Sequence, residues 1–214
     1  MKIVLYLLLF FSSFCFAQGN PFFKDEVKAI QQKNDSIWDS SKETIVFTGS
    51  SSIRLWKNLQ EKFPQHQIIN TGFGGSQAID LEGYLKELVL NYNPKKVFIY
   101  EGDNDISTKK NTKKIVACFK KIIKEIKAYN PRTKIVLISV KPSIARWELK
   151  SKYKKLNRKL KQLCKKDINL AYANIWDIMF DKQGIKTNIF KSDGLHLNHK
   201  GYELWYSVIK NYVE

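Results

Sequence analysis

Thr44-Ile45-Val46-Phe47-Thr48-Gly49-Ser50-Ser51-Ser52 is an apolar run that ends on a glycine and three serines. Five β-favouring residues without polar alternation read as a strand buried on both faces. The serines, followed by Ile53-Arg54-Leu55-Trp56, then read as a strand-to-helix turn. Free backbone N–H groups and the helix dipole at such a turn favour negative charge. Serine there is also an ordinary helix cap, so the stretch by itself leaves both uses open.

The same alternation continues outward. Gln67–Asn70, Lys96–Tyr100, Lys134–Ser139 and Asn169–Ala173 read as further short, apolar strands. Helices are expected near residues 53–62, 77–91, 112–129, 147–166 and 199–213, and Asn93-Pro94 and Asn130-Pro131 punctuate two of them before a strand. Strands alternating with helices predict an α/β fold: a single-domain α/β/α sandwich around a five-stranded parallel sheet, flavodoxin-like in outline. Ligands in such folds bind beyond the carboxyl ends of the strands, near the switch point. No internal repeat, low-complexity linker or second domain is visible. Residues 18–42 are polar and read as a loosely ordered segment ahead of a domain spanning 43–214.

The 214-residue chain carries 43% hydrophobic and 27% charged residues, as expected for a globular protein. Its first seventeen residues differ. Lys2 precedes an almost unbroken apolar run, Ile3 to Phe16, and Cys15-Phe16-Ala17 ends on a small residue. That is the layout of a secretory signal peptide cleaved after Ala17. The run is shorter than the ~20 residues of a spanning helix, which disfavours a retained anchor. A lipid anchor on Cys15 is disfavoured by bulky Phe14 before it. The expected location is therefore periplasmic or extracellular, with no stable membrane insertion.

The formal charge is +17, and +16 once Lys2 is lost with residues 1–17. Of the 37 basic residues, only Arg54, Arg132, Arg146 and Arg158 are arginine. Nucleic-acid recognition leans on arginine forks and stacking aromatics, so the lysines read as a solvated face rather than a nucleic-acid surface. Cys118 and Cys164 make no disulfide framework, although an exported chain could pair them. With three histidines and no CxxC, no metal site and no cofactor is expected.

Three further segments carry chemistry. Asn70-Thr71-Gly72-Phe73-Gly74-Gly75-Ser76 follows the second strand, and its glycines permit close backbone approach to a ligand. Glu101-Gly102-Asp103-Asn104-Asp105 follows the third and places an amide near the serine turn. Asp193-Gly194-Leu195-His196 pairs a carboxylate with an imidazole three residues on, which fixes the ring tautomer for general-base work. His66 lies in a polar run without a nearby acid, and His199 sits at a helix start next to Asn198, leaving His196 as the base. The turn lacks the second glycine of a G-x-S-x-G elbow, which argues against an α/β-hydrolase.

These blocks, in this order, resemble the SGNH (GDSL-type) ester hydrolase superfamily from about Thr44 to the C-terminus. The strings GSSSIRLW, GFGGSQ and EGDNDI resemble an exported bacterial subgroup of GDSL-like lipases and acylhydrolases. The resemblance implies Ser51 as nucleophile, Asp193 and His196 as its partners, and an oxyanion hole of Ser51, Gly75 and Asn104. Ser50 and Ser52 replace the Asp and Leu of the family signature, which leaves open which serine faces the site. Arg54, Lys141, Arg146 and Trp147, just beyond strand ends, are candidates for substrate contact, and Trp56, Trp147, Trp176 and Trp205 for a sugar platform. The expected activity is serine-dependent hydrolysis of short acyl esters, acetyl above all, with a small-molecule or carbohydrate partner. Two rivals stand beside it: a phosphate- or flavin-binding module using the serine turn, and a non-catalytic carbohydrate-binding relative.

Overall fold

The computed structural model describes residues 19–213. The expected signal peptide and its cleavage point lie outside the described residues. Five parallel strands form the sheet: β1 (Thr44–Gly49), β2 (Gln67–Gly72), β3 (Lys96–Tyr100), β4 (Lys134–Ile138) and β5 (Leu170–Ala173). Their spatial order is β2-β1-β3-β4-β5, the flavodoxin-like doubly wound arrangement with its switch point between β1 and β3. A two-stranded hairpin, Phe180–Asp181 with Gly184–Ile185, lies outside this sheet.

The strands carry apolar centres because both faces of the sheet are covered. Val46, Ile69, Val97, Ile99, Ile135 and Leu137 join one buried cluster. Their neighbours Ile45, Phe47, Ile68, Phe98, Val136 and Ile138 join the other. Period-two alternation thus sends successive side chains to opposite cores.

The helices are α1 (Lys24–Asp35), α2 (Ser51–Arg54), α3 (Leu59–Lys62), α4 (Ala78–Gly83), α5 (Leu85–Leu88), α6 (Asp103–Ser107), α7 (Thr112–Tyr129), α8 (Lys150–Cys164) and α9 (His199–Val213). In α7, Ile115, Phe119, Ile122, Ile123 and Ile126 face the core while the lysines between them face water. Asn111 caps its start by accepting from Lys113 N–H at 2.8 Å. The helix expected over 53–62 is two short ones, because Trp56 turns into the core. That over 77–91 breaks at Tyr84 and again at Val89.

The segment expected to be loose is ordered. Asn20 caps a short turn, and α1 follows with Val27 buried and Asn34 donating to the Asn70 carbonyl at 3.1 Å. Phe23, Val27, Ile30 and Asn34 recur at helical spacing. So few apolar residues among many polar ones hide the stripe from a composition reading. Cys118 and Cys164 are both free thiols, with burial pushing them up to about 11 and about 12.

Candidate active site

The strand register brings three loops to one level. Gly49 lies opposite both Gly72 on β2 and Tyr100 on β3, so the residues after each strand leave the sheet side by side. Two hydrogen bonds lock this arrangement: Ser50 N–H donates to the Tyr100 carbonyl (3.1 Å) and Phe73 N–H to the Gly49 carbonyl (2.8 Å). Gly49 itself has φ of 125°, and a Cβ there would lie 2.0 Å from the Tyr100 oxygen. No other residue fits that crossing.

Among the three serines, Ser50 and Ser52 are buried and Ser51 is partly exposed at the first position of α2. Ser51 Oγ lies 3.1 Å from His196 Nε2, and His196 Nδ1 lies 2.6 Å from Asp193 Oδ2. The other Asp193 oxygen accepts the backbone N–H groups of Leu195 and His196, both at 2.9 Å. Burial opposes ionisation of Asp193, but the ring hydrogen bond and those two amides outweigh it and hold the carboxyl well below the usual range. An ionised carboxylate only accepts, so the imidazole proton sits on Nδ1 and Nε2 is left bare toward Ser51. His66 lies far along the chain at the start of β2, and His199 pairs with Glu203 at 3.6 Å.

The donors that the family resemblance implies lie in the turns after β1, β2 and β3. The N–H groups of Ser51 and Gly75 have no partner among the described residues. Gly75 has φ of 78° and is exposed. Asn104 donates one amide hydrogen to the Ser76 carbonyl at 2.9 Å, and its second has no partner among the described residues. The phosphate-cradle alternative finds Ser50 N–H already taken and α2 only one turn long.

The four residues expected to touch substrate divide. Lys141 is 1% exposed and binds Asp103 at 3.0 Å, so it is a buried counter-ion and not a substrate contact. Arg146 reaches the same carboxylate at 2.6 Å, with its side chain 21% exposed. Burial raises the Asp103 pKa, but the Lys141 and Arg146 charges and their hydrogen bonds overcome it and bring the group down to about 2. Arg54 is exposed and pairs with Glu26 at 3.1 Å, which also accepts Gly74 N–H at 2.9 Å. Trp147 is half-buried between Phe180 and Lys150. Trp56, Trp176 and Trp205 are buried in the cores and cannot line a sugar platform.

Residues 35–204 match the GDSL-like lipase/acylhydrolase family. The chain belongs to that family. A GDSL-like lipase from Bacteroides thetaiotaomicron superposes with a TM-score of 0.75 at 22% identity, over 87% of this chain and 96% of that one. A carbohydrate esterase of family 3 from Talaromyces cellulolyticus superposes with 0.66 at 17% identity, over 80% and 96%. In sequence, the chain is 27% identical over 184 residues to an N-acylneuraminate cytidylyltransferase of Escherichia coli O18:K1:H7, covering 84% of this chain. It spans 41% of that relative's length.

The sequence reading missed several groups that hold this GDSL-type site together. Glu26 comes from the helix that composition hid. Glu101 is fully buried, with Oε1 2.6 Å from Ser76 Oγ and Oε2 unpartnered. Burial and the Asp105 charge push its carboxyl well above the usual range. Asp103 sat in view beside Asn104, but its role depends on Tyr153, fifty residues away, which donates to it at 2.9 Å.

Proposed function

We propose that this GDSL-family chain is a serine esterase that removes short acyl groups, acetyl foremost, from small-molecule or carbohydrate esters. The observation that carries it is the continuous Ser51–His196–Asp193 hydrogen-bond line beside two unpartnered backbone N–H groups. Bare Nε2 takes the Ser51 proton as Oγ attacks the ester carbonyl. The oxyanion is received by the N–H groups of Ser51 and Gly75 and by the free Asn104 amide hydrogen, each such donor contributing about 3 kcal/mol of barrier lowering. Imidazolium returns the proton to the departing alkoxide, and the acyl group stays on Ser51. Water, deprotonated by His196, then releases the acid and restores the serine.

The substrate class rests on two points. Ser51, Asn104 and His196 are all partly exposed, so an ester borne on a larger molecule can reach them. The carbohydrate esterase with the same fold supports a sugar-borne ester as the substrate class. Export belongs to the same proposal and rests on the leader-like Met1 to Ala17; among the described residues no helix is long and apolar enough to cross a membrane. The test is p-nitrophenyl acetate, butyrate and octanoate hydrolysis by the wild type, Ser51→Ala and His196→Ala. Turnover on acetate above octanoate, lost in both variants, is expected. Retained turnover in Ser51→Ala sinks the assignment.

A further inference from the structure

We propose that Arg146 is a positioning residue for the oxyanion site, holding the Asn104 amide through a carboxylate–guanidinium–amide line that starts at Asp103. The proposal rests on the serine-esterase reading above and extends it to a residue outside the triad and its donors.

Asp103 anchors the line. It is 4% exposed, and both its oxygens are held: Oδ1 by Arg146 Nη1 (2.6 Å) and Tyr153 (2.9 Å), Oδ2 by Lys141 Nζ (3.0 Å) and Tyr100 (3.2 Å). The same Arg146 Nη1 also donates to Asn104 Oδ1 at 3.2 Å. Asn104 therefore has a donor at its oxygen end and the Ser76 carbonyl at its nitrogen end. Flipping the amide would put N–H against guanidinium and oxygen against carbonyl, so only one orientation is stable. That orientation points the remaining N–H out of the cluster.

Charge adds to geometry. Lys141 and Arg146 bring two positive charges to one carboxylate, so the cluster carries one in surplus at the oxygen end of the Asn104 amide. A charged donor on that oxygen polarises the amide and strengthens its N–H as a donor. The surplus favours negative charge developing on the other side of Asn104, as it does in the tetrahedral intermediate.

The loop that delivers Arg146 also holds the base. Ile144 and Ala145 donate their N–H groups to the Gly194 carbonyl, at 2.9 and 3.1 Å, and Gly194 sits between Asp193 and His196. One short segment after β4 thus braces the Asp193–His196 turn through its backbone and the oxyanion donor through its next side chain.

The experiment is a double-mutant cycle of Arg146→Met and Asn104→Ala on p-nitrophenyl acetate, with Tm recorded for each variant. Arg146→Met is expected to lower kcat about ten- to hundredfold, with KM moved less than about twofold. In the Asn104→Ala background the same change is expected to cost less than about twofold, because its route is already gone. An equal loss in both backgrounds, or a loss confined to KM, overturns the proposal. Should Arg146→Met fail to fold, Arg146→Lys runs the same cycle with the charge kept; its kcat loss is expected to be smaller and again to vanish with Asn104→Ala. Failure of the esterase reading shows separately, as a wild type whose Ser51 does not react with a fluorophosphonate. In that event the assigned side-chain ¹⁵N–H₂ resonances of Asn104 decide: they are expected to shift in Arg146→Met, and unchanged resonances overturn the positioning role.

Discussion

Asp193→Asn removes one charge and keeps the shape of the side chain, and its effect can be worked from one distance and one exposure. The carboxylate lies 2.6 Å from His196 Nδ1 and is 46% exposed, so water screens it. With an effective dielectric of about 40 to 80, the attraction to a newly formed imidazolium is about 1.5 to 3 kcal/mol, or one to two orders of magnitude in rate. Asparagine costs more than that. Its Oδ1 retains the Leu195 and His196 amides, which leaves the NH₂ facing Nδ1. That forces the ring proton onto Nε2, where it points at Ser51 and blocks the base. The combined loss in kcat should exceed a hundredfold and approach the ~10⁴ typical when a triad aspartate becomes asparagine. Asp193→Ala separates the two effects, since it drops the charge without imposing a tautomer, and should be the more active variant above neutral pH. The assay is p-nitrophenyl acetate hydrolysis across pH 6 to 9, run at saturating substrate. An Asn variant within tenfold of wild type, or one clearly better than Ala, would refute the tautomer argument.

Three other outcomes follow from the same geometry. Gly49→Ala puts a methyl 2.0 Å from the Tyr100 oxygen at a φ of 125°, and should destabilise by at least about 3 kcal/mol in urea unfolding, or prevent folding. Glu101, whose folded pKa is raised by burial, helps stability only while protonated in both states; stability should therefore decline as pH rises above about 4.5, and Glu101→Gln should flatten that decline. Asp103 has the opposite sign. Its folded pKa of about 2 lies below its usual 3.8, so the stability it supplies is present above 3.8 and lost as pH falls toward 2, a loss that Asp103→Asn should abolish in acid-denaturation curves.

Sequence alone determined the sheet. Apolar runs between helical stripes demand burial on both faces, and parallel strands joined by helices leave few topologies, so five strands emerged within two residues of where they lie. Local chemistry likewise picked out the Asp193–His196 pair and the Asn104 amide, because turns after strands confine polar groups to short motifs, while Ser51 and Gly75 came only from the resemblance to a known family. What lay beyond reach was pairing across distance. Nothing in the string says that Ser51 rather than Ser52 meets the imidazole; the register of Gly49 against Tyr100 and Gly72 decides it. Nothing says that Lys141 is spent on Asp103 instead of on substrate, because a lysine after a strand looks the same exposed or buried until the fold sets it beside a carboxylate that Tyr100 and Tyr153 also hold. Helix α1 was hidden because its few apolar residues gain their stability only by joining the buried cluster beneath the sheet, which exists once the sheet has formed. Periodicity and motif are properties of neighbours in the chain, whereas charge pairing and burial belong to neighbours in space, and only the tertiary structure brings those together.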